Sequence, residues 1–251
     1  MPKRKANTKD NAATVNVPLD SAISALDGLG FQRIQHVAKT SYRDSSMLVI
    51  CPLRTPMIHR RVVEAWQQLQ WPMNQKRLLR LVTGAEVGDA YDEEVAMWLQ
   101  HPDVSKWRYV LTLEDDNIPP PDAVKNLIEA IEAGPFDGVG GLYFTKGDLN
   151  MPQCYGDPQH FARTGELEFR PRDIVAAVRN GHIVPCNGIA MGCSLYRMSM
   201  FRELPRPWFR TTPNSTQDLH FCANAVRAGK RFAVDCRVRV GHLDIASGVV
   251  Y

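Results

Sequence analysis

Short apolar runs alternate with helically spaced segments between residues 46 and 145, and this alternation constrains the fold more than any other feature. Four of the runs have the length of a β-strand, at residues 47–51, 78–83, 109–113 and 138–144. Between them, apolar side chains recur every three or four residues, as on one face of an α-helix. Strands that alternate with helices predict an α/β fold with a mainly parallel sheet and helices on both faces.

The flanking parts of the chain are less regular. Residues 1–17 are polar, charged and aperiodic, which is typical of a flexible basic tail, and a short helix is expected near residues 21–26. Residues 18–251 are expected to form a single domain. Beyond residue 144 the sequence predicts a polar loop at 145–182, a glycine-rich strand within 189–196, a helix near 217–228, and two short strands at 232–234 and 237–240.

Composition excludes several classes of protein. The chain of 251 residues is 44% hydrophobic and 23% charged, as ordinary globular chains are and disordered ones are not. The first ten residues carry the whole net charge of +3, and because the other 26 basic and 26 acidic residues balance, the body is not a general nucleic-acid binder. No apolar run approaches the ~20 residues that cross a bilayer. The six cysteines form no CxxC pair and no secretory signal is evident, so a cytoplasmic location with reduced thiols is expected.

Three adjacent carboxylates, Glu114, Asp115 and Asp116, follow the apolar run at 109–113. Parallel sheets bind ligands beyond the carboxyl ends of their strands. Adjacent carboxylates repel one another unless a cation compensates them, and Mg²⁺ or Mn²⁺ typically takes one or two carboxylates together with substrate phosphates. The segment therefore indicates a Mg²⁺ or Mn²⁺ site. The alternative is a solvated acidic turn before the next helix, where carboxylates favour the positive end of the helix dipole.

With its flanks, the acidic segment resembles a known motif. Residues 109–121, YVLTLEDDNIPPP, are similar to the DxD strand end of GT-A fold glycosyltransferases, in particular the family-2-like group, with Glu114 in place of the first Asp. The resemblance implies a GT-A type, Rossmann-like sheet with a nucleotide-binding half at 46–145 and an acceptor half at 146–251. It also implies that Asp116 binds the metal, and that Glu114 and Asp115 lie near the ribose and diphosphate of a nucleotide-sugar.

Further segments resemble the same family in the same order. The loop after the first strand is similar to the family's nucleotide-binding loop and contains Pro52, Arg54 and Thr55. Glu86 stands nearest to the acidic residue that usually follows the second strand. The glycine-rich stretch at 187–197 resembles the segment that borders donor sugar and acceptor, which implies such a place for Gly192 and Arg197.

Two late residues complete the resemblance. Asp218 stands where the family has an acidic pair at the start of a helix, and there it could take the proton of the acceptor hydroxyl as a general base. The alternative interpretation of Asp218 is a structural carboxylate in the first helical turn, where the positive end of the helix dipole favours a negative charge. His242 looks like the late histidine that completes the metal site, and its alternative is a hydrogen-bonded structural histidine.

Four other candidates each have a structural alternative. Arg54 could hold a nucleotide phosphate or form a surface ion pair, and Arg197 could anchor substrate or cap its strand. Gly192 permits close approach of a backbone, although a glycine in a strand also marks a bulge. Trp208 lies in a loop between basic residues, where it could stack on an acceptor or pack down the loop.

The leading hypothesis is a metal-dependent glycosyltransferase that moves a sugar from a nucleotide-sugar, with a UDP-sugar expected, to a hydroxyl with inversion. The acceptor could be a glycan, a small molecule or a nucleic acid, and a retaining outcome stays open. Two alternatives remain. One is a sugar-phosphate nucleotidylyltransferase, whose glycine-rich, arginine-containing signature is absent near the first strand. The other is a noncatalytic binding protein that keeps the fold.

Overall fold

A computed structural model describes residues 44–251. The predicted tail at 1–17 and the predicted helix near 21–26 lie outside the described residues. The elements up to residue 142 are β1 (Met47–Leu53), α1 (Arg60–Gln68), β2 (Arg77–Thr83), α2 (Val87–Leu99), β3 (Tyr109–Leu113), β4 (Asn117–Ile118), α3 (Ala123–Ala133) and β5 (Gly138–Leu142). The later elements are β6 (Cys154–Tyr155), α4 (Pro158–Thr164), α5 (Val175–Asn180), β7 (Ile183–Cys186), β8 (Gly188–Ile189), β9 (Cys193–Arg197), α6 (Met198–Glu203), α7 (Gln217–Arg227), β10 (Phe232–Arg239) and β11 (Gly241–His242).

A seven-stranded sheet carries the fold, in the order β2-β1-β3-β9-β5-β10-β7. Strands β2, β1 and β3 are parallel, and β10 is parallel to β5. The two exceptions are β9, which runs antiparallel between β3 and β5, and β7, which is antiparallel to β10 at one margin. The predicted α/β fold with a mainly parallel sheet is confirmed.

Both faces of the sheet are covered by helices, as predicted. Alternate residues of a strand point to opposite faces, and β1 shows the result clearly. Leu48 and Ile50 belong to the core that includes Tyr91 of α2, whereas Met47 and Val49 belong to a second core built on α3. The apolar run at 47–51 is continuous because both of its faces are buried.

Two predictions about the later part of the chain are wrong. The segment at 145–182 is not one loop, because it contains β6, α4 and α5. These helices are too short for a periodic apolar face, but α4 has its own boundary signals: the Asp157 carboxylate accepts from the Gln159 amide at 2.8 Å, and Gly165 ends the helix in the left-handed region. The two strands predicted at 232–240 are one strand, β10, with an irregular register between Asp235 and Arg239.

Two further findings concern cysteines and membranes. All six cysteines are buried and free. Within residues 44–251, the helices are too short or too polar for any of them to span a bilayer.

Candidate functional site

The acidic segment lies at the carboxyl edge of the sheet, where β1 and β3 end and the antiparallel β9 begins. Leu113 pairs with Cys193, and the Glu114 amide donates to the Gly192 carbonyl at 3.1 Å. On its other side the segment continues into β4, which pairs with β11 so that Asn117 faces His242. Loops that are far apart in the sequence therefore meet around the three carboxylates.

Asp116 is the centre of this cluster. Its buried carboxylate oxygen Oδ2 lies 2.8 Å from the Arg54 guanidinium, 2.5 Å from Lys146 Nζ and 3.5 Å from His242 Nε2. Burial by itself would raise the pKa of Asp116, but the hydrogen bonds of His242 and Lys146 and the charge of Arg54 hold it well below its usual range. Asp116 is therefore a carboxylate at neutral pH.

Arg54 is oriented by the neighbouring carboxylate. Its backbone amide donates to Asp115 Oδ2 at 3.0 Å, and its Nε and Nη2 donate to Asp115 Oδ1 at 3.1 and 2.9 Å. The Arg54 side chain is half exposed, whereas Asp115 is buried. Asp115 thus holds a guanidinium at the mouth of the site, with one face open to solvent.

His242 presents its Nε2 to Asp116. Its Nδ1 lies 2.8 Å from the Phe144 carbonyl, which can only accept a hydrogen bond, so Nδ1 carries a proton and Nε2 is the ring nitrogen available to a metal ion. The Tyr143 ring packs edge-on against the imidazole and restrains it. A backbone carbonyl behind a ligating histidine is the usual arrangement in metal sites.

Asp116 and His242 could therefore supply one oxygen and one nitrogen to a divalent cation such as Mn²⁺ or Mg²⁺. Among residues 44–251, no group of three or more His, Cys, Asp or Glu side chains is arranged to hold a metal ion. The remaining positions of an octahedral ion would fall to water and to phosphate oxygens of a ligand, which is how Mg²⁺ is commonly held.

Two more carboxyl groups face the same region. Burial raises the pKa of Glu114 to about 8, and the charges of Asp116, Asp218 and Asp115 add to the effect. Asp218 lies in the first turn of α7, and burial also raises its pKa above the ordinary value. Its Oδ1 accepts from the Leu219 amide at 2.9 Å. The structure thus brings Asp218 within electrostatic reach of the acidic segment.

The remaining residues of the predicted nucleotide-binding set lie at or near the same edge in structural roles. Pro52 is buried within β1, and the exposed Thr55 donates through its hydroxyl to the Met57 carbonyl at 2.9 Å. Glu86 is the N-cap of α2: its carboxylate accepts from the Gly88 amide at 2.7 Å and from the Thr211 hydroxyl at 2.8 Å.

Arg197 is not brought to the site. It pairs with Tyr109 at the opposite edge of the sheet, where its guanidinium donates to Glu132 at 2.8 Å and to the carbonyls of Ile131 and Phe136 at 2.7 and 3.0 Å. These contacts match the structural alternative for Arg197, in which the arginine caps the end of its strand.

Trp208 makes its hydrogen bonds to residues outside the acidic segment. Its side chain is only 5% exposed, and its Nε1 donates to the Leu204 carbonyl at 2.9 Å. Its amide donates to the Asp92 carboxylate at 2.6 Å. These contacts match the packing alternative for Trp208.

Sequence reasoning missed Lys146, which contacts Asp116 directly. A lysine in a polar loop belongs to no motif. The available signal was its position: it follows the strand predicted at 138–144, and the loops after strands that run in the same direction share one edge of the sheet.

Comparison with known proteins gives the fold and no family. No family model and no curated protein matches the chain. Among solved structures, the A197 protein from STIV superimposes with a TM-score of 0.56 at 14% sequence identity, over 79% of this chain and 85% of that one. A structure of GalNAc-T7 with UDP, GalNAc and Mn²⁺ gives a TM-score of 0.53 at 9% identity, over 80% of this chain and 44% of that one. The chain thus has a GT-A-like fold and spans less than half of the GalNAc-T7 chain; the likeness does not single out the family-2-like group.

Proposed function

We propose that the chain is a glycosyltransferase that uses a nucleotide-sugar and a divalent cation. The observation that carries this proposal is the meeting of Asp116 and His242 at 3.5 Å, with the histidine anchored through Nδ1, at the carboxyl edge of a GT-A-like sheet. A carboxylate oxygen is a ligand that both Mn²⁺ and Mg²⁺ prefer, and an imidazole nitrogen is a common ligand of transition-metal ions, which favours Mn²⁺.

The surrounding residues suit an anionic donor. Asp116 and His242 would hold the cation, which when bound stabilises the negative charge that develops on a leaving diphosphate. Arg54, oriented by Asp115 and half exposed to solvent, would contact a phosphate of the donor. A UDP-sugar is the proposed donor, because the GalNAc-T7 structure of similar fold contains UDP, GalNAc and Mn²⁺.

Asp218 is the proposed general base. Direct displacement at the anomeric carbon needs a carboxylate that accepts the acceptor proton while the new bond forms, and it inverts configuration. The buried position of Asp218 raises its pKa, which makes it a stronger proton acceptor than an ordinary aspartate. Its burial at the start of α7, within electrostatic reach of Glu114, supports this role over that of a simple first-turn carboxylate.

One observation favours a second candidate, a noncatalytic protein that keeps the fold. Arg54 and Lys146 already compensate Asp116, so the acidic segment is electrostatically satisfied without a metal ion. A protein of that kind would bind neither a divalent cation nor a nucleotide through Asp116.

Ligand-dependent unfolding separates the two candidates. Thermal unfolding is followed with a panel of nucleoside diphosphates and nucleotide-sugars, with and without Mn²⁺, for the wild type, Asp116→Asn and the control Asp122→Asn. Asp122 is exposed, and its side chain makes no capping hydrogen bond. A ligand at one hundred times its Kd stabilises by about 2.7 kcal/mol.

The glycosyltransferase proposal expects one nucleotide to shift the midpoint only with Mn²⁺, in the wild type and Asp122→Asn but not in Asp116→Asn. The nucleotide-sugar so found is then offered with glycan, small-molecule and nucleic-acid acceptors, and the anomeric configuration of any product is read by NMR. A panel that shifts no midpoint contradicts the proposal and favours the noncatalytic protein.

A further inference from the structure

Lys146 and Arg54 approach the same oxygen of Asp116, and they differ in how firmly they are held. Arg54 has a second carboxylate partner, Asp115, which receives three of its hydrogen bonds. Within residues 44–251, the only carboxylate that lies within 4 Å of Lys146 Nζ is that of Asp116. Lys146 is therefore the cation that can leave Asp116 without breaking another ion pair.

The segment that carries Lys146 is an exposed turn that packs little against the hydrophobic core. The Thr145 amide donates to the Met151 carbonyl at 2.9 Å, which closes a turn after β5. Gly147 and Asn150 both have positive φ within this turn, and Leu149 is 81% exposed. Because the turn buries little apolar surface, movement of Lys146 would not disturb the packing of the sheet.

The contacted oxygen is the one that also faces His242 Nε2. A divalent ion bound by Asp116 and His242 would therefore lie where the Lys146 ammonium now satisfies the carboxylate. Two cations cannot share that place, because they would be in van der Waals contact and repel one another.

We propose that Lys146 is a resident counter-cation of Asp116, which occupies the metal-binding oxygen in the metal-free protein and must move aside for a divalent ion to bind. This inference rests on the proposed function, since it takes Asp116 and His242 as the metal ligands. Lys146 balances the acidic segment before the ion arrives, and it weakens the affinity for free ions because its contact must first be broken.

Mn²⁺ binding to the full chain without nucleotide tests this inference. Free Mn²⁺ is measured by electron paramagnetic resonance for the wild type, Lys146→Met, Lys146→Arg, Lys76→Met and Asp116→Asn. Lys76 is an exposed lysine paired with Asp103 at 2.8 Å, so Lys76→Met makes the same change in net charge away from the site. Lys146→Arg keeps the cation.

We expect Lys146→Met to bind Mn²⁺ about tenfold more tightly than the wild type, equivalent to about 1.4 kcal/mol. Lys76→Met and Lys146→Arg should stay within about twofold of the wild type, and Asp116→Asn should lose binding. Thermal unfolding should show that Mn²⁺ raises the midpoint of Lys146→Met more than that of the wild type, which also verifies that the variant folds.

The other outcomes fall into two groups. Equal or weaker Mn²⁺ affinity in Lys146→Met, with binding still lost in Asp116→Asn, overturns the counter-cation role and leaves the proposed metal site standing. Absence of Mn²⁺ binding in every variant, Lys146→Met included, overturns this inference, whereas the metal site of the proposed function is judged separately by the Mn²⁺-dependent unfolding shift with nucleotide.

Discussion

The side-chain amide of Asn117 lies directly against the Cα of Gly192. A Cβ placed on residue 192 would be 2.5 Å from Asn117 Oδ1 and 2.7 Å from its Nδ2, far inside van der Waals contact. The same glycine donates its amide to the Tyr143 hydroxyl at 2.8 Å and accepts from the Glu114 amide. Gly192 is thus needed so that β9 can begin beside the acidic segment, which is a packing role that close backbone approach explains.

Gly192→Ala should destabilise the protein by about 1–3 kcal/mol, the usual effect of overpacking a tight core. Asn117→Ala removes the atoms that collide. In the part of the chain that the structure describes, the side-chain amide of Asn117 has no hydrogen-bond partner, so this substitution should have a small effect alone. A double-mutant cycle by urea unfolding should show Asn117→Ala recovering most of the loss. Additive effects would contradict this contact.

Arg197→Ala should lower the free energy of unfolding by about 2 kcal/mol, because hydrogen bonds to charged groups contribute about 1.5–3 kcal/mol. Arg197→Lys should recover only part of this loss, because one ammonium cannot span Glu132 and two separate carbonyls. Urea unfolding measures both variants. The nucleotide-induced shift of the midpoint should not change, and its loss in a stable Arg197→Lys variant would return Arg197 to the binding site.

Glu132 should make stability depend on acidic pH. Burial raises its pKa, but the hydrogen bond from Tyr109 and the charges of Arg197 and Arg108 outweigh burial and leave the pKa below its ordinary value. A depressed carboxylate stabilises the fold above its unfolded pKa of about 4.3, and this contribution is lost as pH falls through the folded value.

The stability difference between wild type and Glu132→Gln should therefore be largest near pH 7 and shrink below about pH 4. Urea unfolding between pH 3 and 7 gives this difference, and Glu93→Gln, at an exposed position of α2, is measured in parallel as the control. A Glu132→Gln difference that is independent of pH would show that the ion pairs do not depress this pKa.

Asp218→Asn should reduce transfer by about 10²–10⁴-fold, the usual contribution of a general base, while the nucleotide-induced shift with Mn²⁺ stays as in the wild type. In the wild type, kcat/KM should fall as pH drops through the raised pKa of Asp218, because the protonated carboxyl cannot accept the acceptor proton. A variant with unchanged turnover and pH profile would exclude Asp218 as the base.

The sequence supports the fold further than it supports the site. Runs such as 47–51 and 109–113 are recognisable because burial on both faces leaves only apolar side chains. The position of β9 between β3 and β5 is not recognisable, because the order of strands in a sheet is set by tertiary packing and leaves no local pattern.

Arg197 shows how the missing information about strand arrangement also affects the prediction of site residues. It shares a glycine-rich stretch with Gly192, and a motif treats the two as neighbours. An extended strand rises about 3.3 Å per residue, so the two α-carbons lie roughly 17 Å apart, at opposite edges of the sheet. Lys146 is the opposite case, a residue far from Asp116 in the sequence that the fold brings next to it. This contact depends on how the sheet is arranged, and no local sequence pattern predicts it.

The insertion of β9 between β3 and β5 also bears on how such a chain can be inherited. A recombination event that joined the first five strands to an unrelated second half would leave the facing edges of β3 and β5 without their shared neighbour, and it would separate Asp116 from His242. Exposed strand edges invite aggregation. The two halves of this protein therefore cannot be exchanged independently, because the central sheet and the proposed cation site each depend on both of them.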